Sequence, residues 1–192
     1  MHATASPPRW ARPSGFPALV LFVLEQQVSL ASARSAFLKL HEAMGTIEPA
    51  GFLALSDEAL RAHGFSRQKT SYCRGIARGM LSGEIDLGAI GAMNDKEASA
   101  ALTAIRGIGP WTSDVFLLFC LGREDAWPRG DRALHVALAA LLDLEAVPDT
   151  EAAGEIATRW APWRGIAAFF LWHDYLGGIA YQDDGRLTDI LG

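Results

Sequence analysis

A hairpin of small residues, Gly107-Ile-Gly-Pro-Trp-Thr112, and a carboxylate, Asp131, closing Trp127-Pro-Arg-Gly-Asp, are the parts of this chain best suited to chemistry. Glycine permits the positive φ angles of a tight hairpin, and Pro110 is preorganised for the first turn of a helix. An apolar-periodic run (Ala98, Ala101, Leu102, Ile105) stops at the hairpin, and a second runs from Pro110 through Cys120. Helix, hairpin, helix is the local reading. It aims free backbone N–H groups of the second helix at one point, where a phosphate fits. Asp131 follows a Pro/Gly loop and starts another helix, so it can serve simply as an N-cap. Beside a phosphate clamp, an exposed carboxylate can also steady a developing positive charge or orient water. The combination points to chemistry on nucleic acid.

The elements that must position these groups read as helices throughout, giving an all-α expectation. Apolar-periodic runs cover Phe16 to Gln27 and Ser29 to Met44. Ser56 and Ser66 are caps of further helices, the second ending near Gly83, and Asn94-Asp-Lys-Glu97 has the capping-box form. Asp131 to Leu142, Asp149 to Trp160 and Trp163 to Leu176 complete the set, while Met1 to Ser14 reads as an irregular arm. No strand alternation or repeat is found. The chain has 192 residues, half of them hydrophobic, which suits one domain or two small lobes. Cys73 and Cys120 sit in separate apolar contexts and read as buried free thiols. His41, His63, His135 and His173 lack the spacing of a transition-metal site. No leader pattern or spanning apolar run is read, so the expectation is a cytoplasmic protein with no membrane partner; a monomer is expected separately.

Charge argues against easy DNA steering. Seventeen Lys plus Arg against twenty-two Asp plus Glu leave a net −5. Any grip on DNA must come from local basic groups and oriented N–H groups. Arg67, Lys69, Arg74 and Arg78 share one expected helix, and Arg123, Arg129 and Arg132 flank Asp131. The first cluster reads equally well as a solvated face. The second surrounds the motif and is expected to serve it.

Four segments in order resemble the helix-hairpin-helix superfamily of base-excision DNA glycosylases, within it the 3-methyladenine DNA glycosylase II branch. They are Glu25-Gln-Gln-Val-Ser29, Gly107-Ile-Gly-Pro-Trp-Thr112, Asp125-Ala-Trp-Pro-Arg-Gly-Asp131, and Arg159-Trp-Ala-Pro-Trp-Arg164 with Leu171-Trp172. The resemblance implies a two-lobed helical fold with a cleft between the lobes. One lobe would be discontinuous, residues 1–23 plus 123–192, carrying the catalytic aspartate; the other would span 24–122 and carry the hairpin. It implies catalysis by Asp131, a base pocket lined by Trp111 and Trp172, a DNA wedge at Gln27, and a phosphate-binding hairpin of Gly107, Ile108, Gly109 and Thr112. Trp160 and Trp163 are expected to fill core. An apolar wedge is the commoner pattern, so Gln27 departs from it, as Arg106 departs from the proline common before the first hairpin glycine. Some members also carry an N-terminal α/β lobe ahead of the Gln-Gln helix, which is not read here.

Glycosidic cleavage passes through an oxocarbenium-like state, and the target base must leave the stack to reach a pocket. Superfamily members that also nick DNA carry a lysine two residues after the second hairpin glycine. Trp111 stands there, which removes the amine for imine chemistry and implies a monofunctional enzyme. Iron–sulfur members need four clustered cysteines, so no such cluster is expected. Backbone carbonyls of Thr103, Ile105 and Ile108 are implied to hold a structural Na⁺ or K⁺. The expected activity is release of alkylated purines, 3-methyladenine above all, from damaged double-stranded DNA in base excision repair. The alternatives are another base lesion, a non-catalytic helix-hairpin-helix DNA-binding module, or a structural helical adaptor.

Overall fold

The computed structural model describes residues 11–177. In that span lie α1 (Phe16–Glu25), α2 (Leu30–Met44), α3 (Pro49–Ala54), α4 (Asp57–Ala62), α5 (Arg67–Ser82) and α6 (Leu87–Ala92). They are followed by α7 (Asp95–Ala104), α8 (Pro110–Phe119), α9 (Arg132–Leu141), α10 (Thr150–Ala157), a short 3₁₀ turn (Thr158–Trp160) and α11 (Arg164–Tyr175). No strand occurs among the described residues. The helix ends follow local side-chain chemistry. Ser29, Ser56, Ser66, Asp149 and Asp131 each accept a backbone N–H at the start of a helix. Asn94 and Glu97 complete the reciprocal capping box that opens α7. The six-residue helices α3 and α6 have no counterpart in the sequence reading, because one turn and a half is too short for periodicity to show.

Packing explains where the helices go. α1 is apolar all round and buried almost throughout, so it runs through the interior. α2 buries the stripe Ala33, Ala36, Phe37 and Leu40, and α5 buries Thr70, Cys73, Ile76 and Ala77. These faces join α1, α3, α7 and α8 in one large cluster that includes Phe22, Phe52 and Phe116. A second, smaller cluster gathers Trp127, Leu134, Leu138, Ala153, Ala157, Ala168 and Leu171 from α9, α10 and α11. Trp172 packs against both. Burying one such side chain stabilises the fold by about 1.5–3 kcal/mol. α1 belongs to the large cluster, with α2, α5 and α8, although residues up to 23 were expected in the lobe of Asp131. Its all-round apolar surface is the reason: only the middle of the larger cluster can cover it.

The loop between α8 and α9 is pinned at three points. Arg123 donates to the carbonyls of Gly91 and Met93 and pairs with Asp95. Asp125 receives the backbone N–H and guanidinium of Arg164, at 2.7 Å for the closest contact. Arg129 donates to the buried Asp114 of α8 from its backbone N at 3.0 Å and its side chain at 2.7 and 2.8 Å. Two arginines expected to serve DNA, Arg123 and Arg129, are thus spent on holding this loop. A carboxylate inside an apolar helix must be paired, and Arg129 is the cation within reach.

Candidate active site

The hairpin is built as the sequence implies, with one distinction between its glycines. Gly107 has φ +97°, and a Cβ there would run into the ring of Tyr72, so only glycine fits. Gly109 has φ −88° and nothing within 4 Å of the place a Cβ would take. Neither backbone nor packing demands glycine at 109, and the space its Cβ would take opens on the cleft. α8 then starts with Pro110 and without a side-chain cap, and its first ladder bond runs from Ser113 N to Gly109 O at 2.9 Å. The N–H groups of Trp111 and Thr112 therefore lack intrahelical acceptors and remain available to an anion. The Ile108 side chain is buried, so only its backbone can serve a ligand.

Thr112 does not offer its hydroxyl outward. The residue is buried, and the oxygen accepts from Gln26 Nε2 at 2.8 Å. Gln26 also donates to the carbonyl of Gly107 at 3.0 Å. This glutamine, one position before the expected wedge Gln27, ties the end of α1 to the hairpin. α1 stops at Glu25, short of the expected Gln27, and Gln27 takes φ +56° on an exposed turn. The turn projects Gln27 and Val28 beside the hairpin. Thr103 lies in the last turn of α7 and Ile105 is its C-cap, at the negative end of the helix dipole, while Ile108 stands in the hairpin. Ile105 O already accepts Ile108 N at 3.0 Å, leaving a second lone pair.

Asp131 sits where the sequence places it, at the N-cap of α9, and is half-buried. Its Oδ1 accepts the backbone N–H of Leu134 at 3.0 Å. Trp111 Nε1 donates to Oδ2 at 2.9 Å and Trp172 Nε1 to Oδ1 at 3.2 Å. The sequence reading had both tryptophans lining a pocket; the geometry adds that their indole N–H groups aim the carboxylate. Donors from three elements fix both oxygens, so the group is oriented before any ligand arrives. Trp172 also stacks on Phe119, with centroids 5.7 Å apart and planes 19° apart, and packs against Phe169. Trp160 packs on the smaller cluster as expected, but Trp163 is 55% exposed and is not core.

Hairpin, Asp131, both tryptophans and Gln27 line one cleft of about 1570 Å³, which also takes in Arg12, Glu25, Lys69, Tyr72, Arg132 and Tyr175. Lys69 belongs to the basic cluster that reads equally well as a solvated face, yet it reaches this cleft. It donates from Nζ to Leu24 O at 2.7 Å, and burial pulls its pKa below the usual lysine value. Its reach into the cleft could not be read without the fold. Burial pushes the thiols of Cys73 and Cys120 up to about 12, so both are neutral and inert. Among the described residues no cluster of His, Cys, Asp and Glu could hold a metal ion. No described helix is long and apolar enough to cross a membrane.

Comparison with known proteins agrees with this geometry. The profile described as HhH-GPD superfamily base excision DNA repair protein matches residues 20–162. A DNA-3-methyladenine glycosylase of Bacillus subtilis is 35% identical over 172 residues, 83% of this chain and 57% of that protein. The chain thus spans little more than half the length of that curated relative. Among solved structures, Schizosaccharomyces pombe 3-methyladenine DNA glycosylase in complex with abasic DNA superposes with a TM-score of 0.82 at 27% identity, over 88% of this chain and 85% of that one. A DNA-3-methyladenine glycosidase from Bacillus halodurans gives 0.73 at 29% identity, covering 92% and 82%.

Proposed function

The chain belongs to the HhH-GPD superfamily of base excision DNA repair proteins, and we propose that it is a monofunctional DNA glycosylase acting on alkylated purines of the 3-methyladenine type. The observation that carries the reading is Asp131, aimed by two indole N–H groups and one backbone N–H into the cleft that the hairpin borders. A DNA-binding module has no use for a carboxylate prepared in this way. In the proposed reaction the free N–H groups at the start of α8 hold a backbone phosphate, and Gln27 fills the gap left by the flipped nucleotide. The base stacks on indole, to which a cationic ring adds a cation–π attraction. The Asp131 carboxylate stabilises the oxocarbenium-like sugar as the base departs and orients the water that adds to it.

A division into a lobe carrying Asp131 and a lobe carrying the hairpin, the cation at Thr103, Ile105 and Ile108, and a monomeric cytoplasmic state belong to the same proposal. Trp111 at the position of the family's nucleophilic lysine supports hydrolysis without strand cleavage. The test is incubation with methylated double-stranded DNA, with released bases identified by mass. Release of methylated purines and an intact abasic strand is the expected result. Binding without release would reduce the protein to a module that grips DNA.

A further inference from the structure

The inner wall of the cleft carries an ion pair that neither the phosphate clamp nor Asp131 uses. Arg12 donates from Nη1 to Glu25 Oε2 at 3.2 Å and from Nη2 to Glu25 Oε1 at 3.0 Å. Both side chains are largely withdrawn from water, 14% and 6% exposed, yet both line the cleft. The pair is held firmly. Arg12 N donates to Phe119 O at 2.9 Å. Its guanidinium lies 4.9 Å from the Phe22 centroid and 5.3 Å from that of Phe119. Phe119 stacks on Trp172, and Trp172 donates to Asp131. An unbroken run of contacts therefore leads from the pair to the carboxylate. Desolvating two charges is costly, and an apolar pair of similar volume would stabilise the fold as well. A charged pair on a cleft wall is explained if it reads what enters.

Resting on the reading of this cleft as a base pocket, we propose that Arg12 and Glu25 select the base, favouring adenine-type over guanine-type alkylated purines. Arginine offers only donors and a carboxylate only acceptors, and both Glu25 oxygens retain acceptor capacity beyond the bonds to Arg12. The side-by-side pair is complementary to an edge with an acceptor next to a donor. Adenine shows this as N7 beside the N6 amine, whereas guanine shows two acceptors, N7 and O6. Alkylation at N3 lies on the opposite edge and leaves this pattern intact. A guanine-type base would set O6 against a buried carboxylate, a repulsive contact that also leaves the polar groups unpaired.

3-Methyladenine and 3-methylguanine make a matched pair of probes, alkylated at the same atom and differing at the edge the pair would read. Release of each from methylated duplex DNA is quantified by mass, and binding of each free base is followed by quenching of tryptophan fluorescence. The wild-type protein is expected to favour 3-methyladenine by about tenfold or more. In Glu25→Gln the amide can turn its N–H₂ toward O6, and that preference is expected to shrink by roughly tenfold. A change in folding would lower both rates together and leave the ratio alone, so the ratio separates selection from support. Should Glu25→Gln melt well below wild type, Arg12→Gln tests the same pair from its other partner. An indifferent wild-type protein, or a variant with an unchanged ratio, overturns the proposal. If wild type releases neither base, the glycosylase reading falls, and quenching by the free bases still decides for or against the pair.

Discussion

At the scale of single residues, Asp131 combines a structural task with the proposed chemical one, and the two can be pulled apart. Asparagine is as good an N-cap as aspartate, so Asp131→Asn should keep α9 and shift the melt little. It offers one acceptor oxygen where Trp111 and Trp172 now find two, and it removes the charge. Single-turnover excision should fall by on the order of 10²–10³ while binding to abasic DNA persists; near-normal excision would sink the assignment. Trp172→Phe keeps an apolar ring over Phe119 but loses the N–H bond to Oδ1. Base–aromatic stacking is worth about 1–3 kcal/mol, so excision of cationic 3-methyladenine should drop by roughly tenfold, and by more than that of neutral hypoxanthine. A large melting shift with unchanged lesion preference would return Trp172 to a packing role. Lys69 supplies the amine to watch, since it reaches the cleft with a pKa that burial lowers. Borohydride trapping should give no covalent adduct. An adduct abolished by Lys69→Arg would make the enzyme a lyase through an amine outside the hairpin.

At the scale of elements, the helix-hairpin-helix segment was legible because its signals are local. Capping residues, Pro at N1 and paired glycines each act within one turn, so Asn94, Glu97, Pro110 and Gly107 could be read without the fold. What was not legible is contact at long range. Arg129 and Asp114 are fifteen positions apart and read separately as a DNA-facing cation and an unremarked carboxylate, yet they lock the loop before Asp131 to α8. The only hint was an acidic residue within an apolar run. Arg12 lay in what read as an irregular arm, and nothing local announced its bond to Glu25. The two glycines give the element-scale prediction. Gly107→Ala forces a Cβ into Tyr72 at a positive φ and should lower the melting temperature as well as DNA binding. Gly109→Ala meets open space at an ordinary φ, so the fold should hold while binding weakens on damaged and undamaged DNA alike. Unchanged binding by Gly109→Ala would mean that no phosphate approaches there.

At the scale of the whole molecule, the question is how a chain of net charge −5 holds a polyanion. Ion pairing inside the protein removes several cations from consideration: Arg74 is paired with Asp57, Arg123 with Asp95, Arg129 with Asp114 and Arg164 with Asp125. Arg67, Arg106 and Arg132 are exposed and make no ion pair among the described residues. Each adjoins the cleft, before Gln68 on α5, before Gly107 and after Asp131. Arg67 and Lys69 also stand in the first turn of α5, the positive end of its dipole, where cations are unfavourable for the helix itself. A phosphate arriving there would relieve that repulsion. With about three side chains neutralising phosphates, the slope of log affinity against log salt should be about −2.7, or roughly a 40-fold loss between about 50 and 200 mM salt. Neutral hairpin N–H groups contribute binding without steepening that slope, because no counterion-compensated charge is added. Arg132→Gln should flatten the slope by about one unit and weaken all sequences equally, as read by anisotropy on an abasic duplex across a salt series. A slope near −6 in the wild-type protein would require basic groups beyond these three, and the account of an acidic protein gripping DNA through a small basic rim and a backbone clamp would fail.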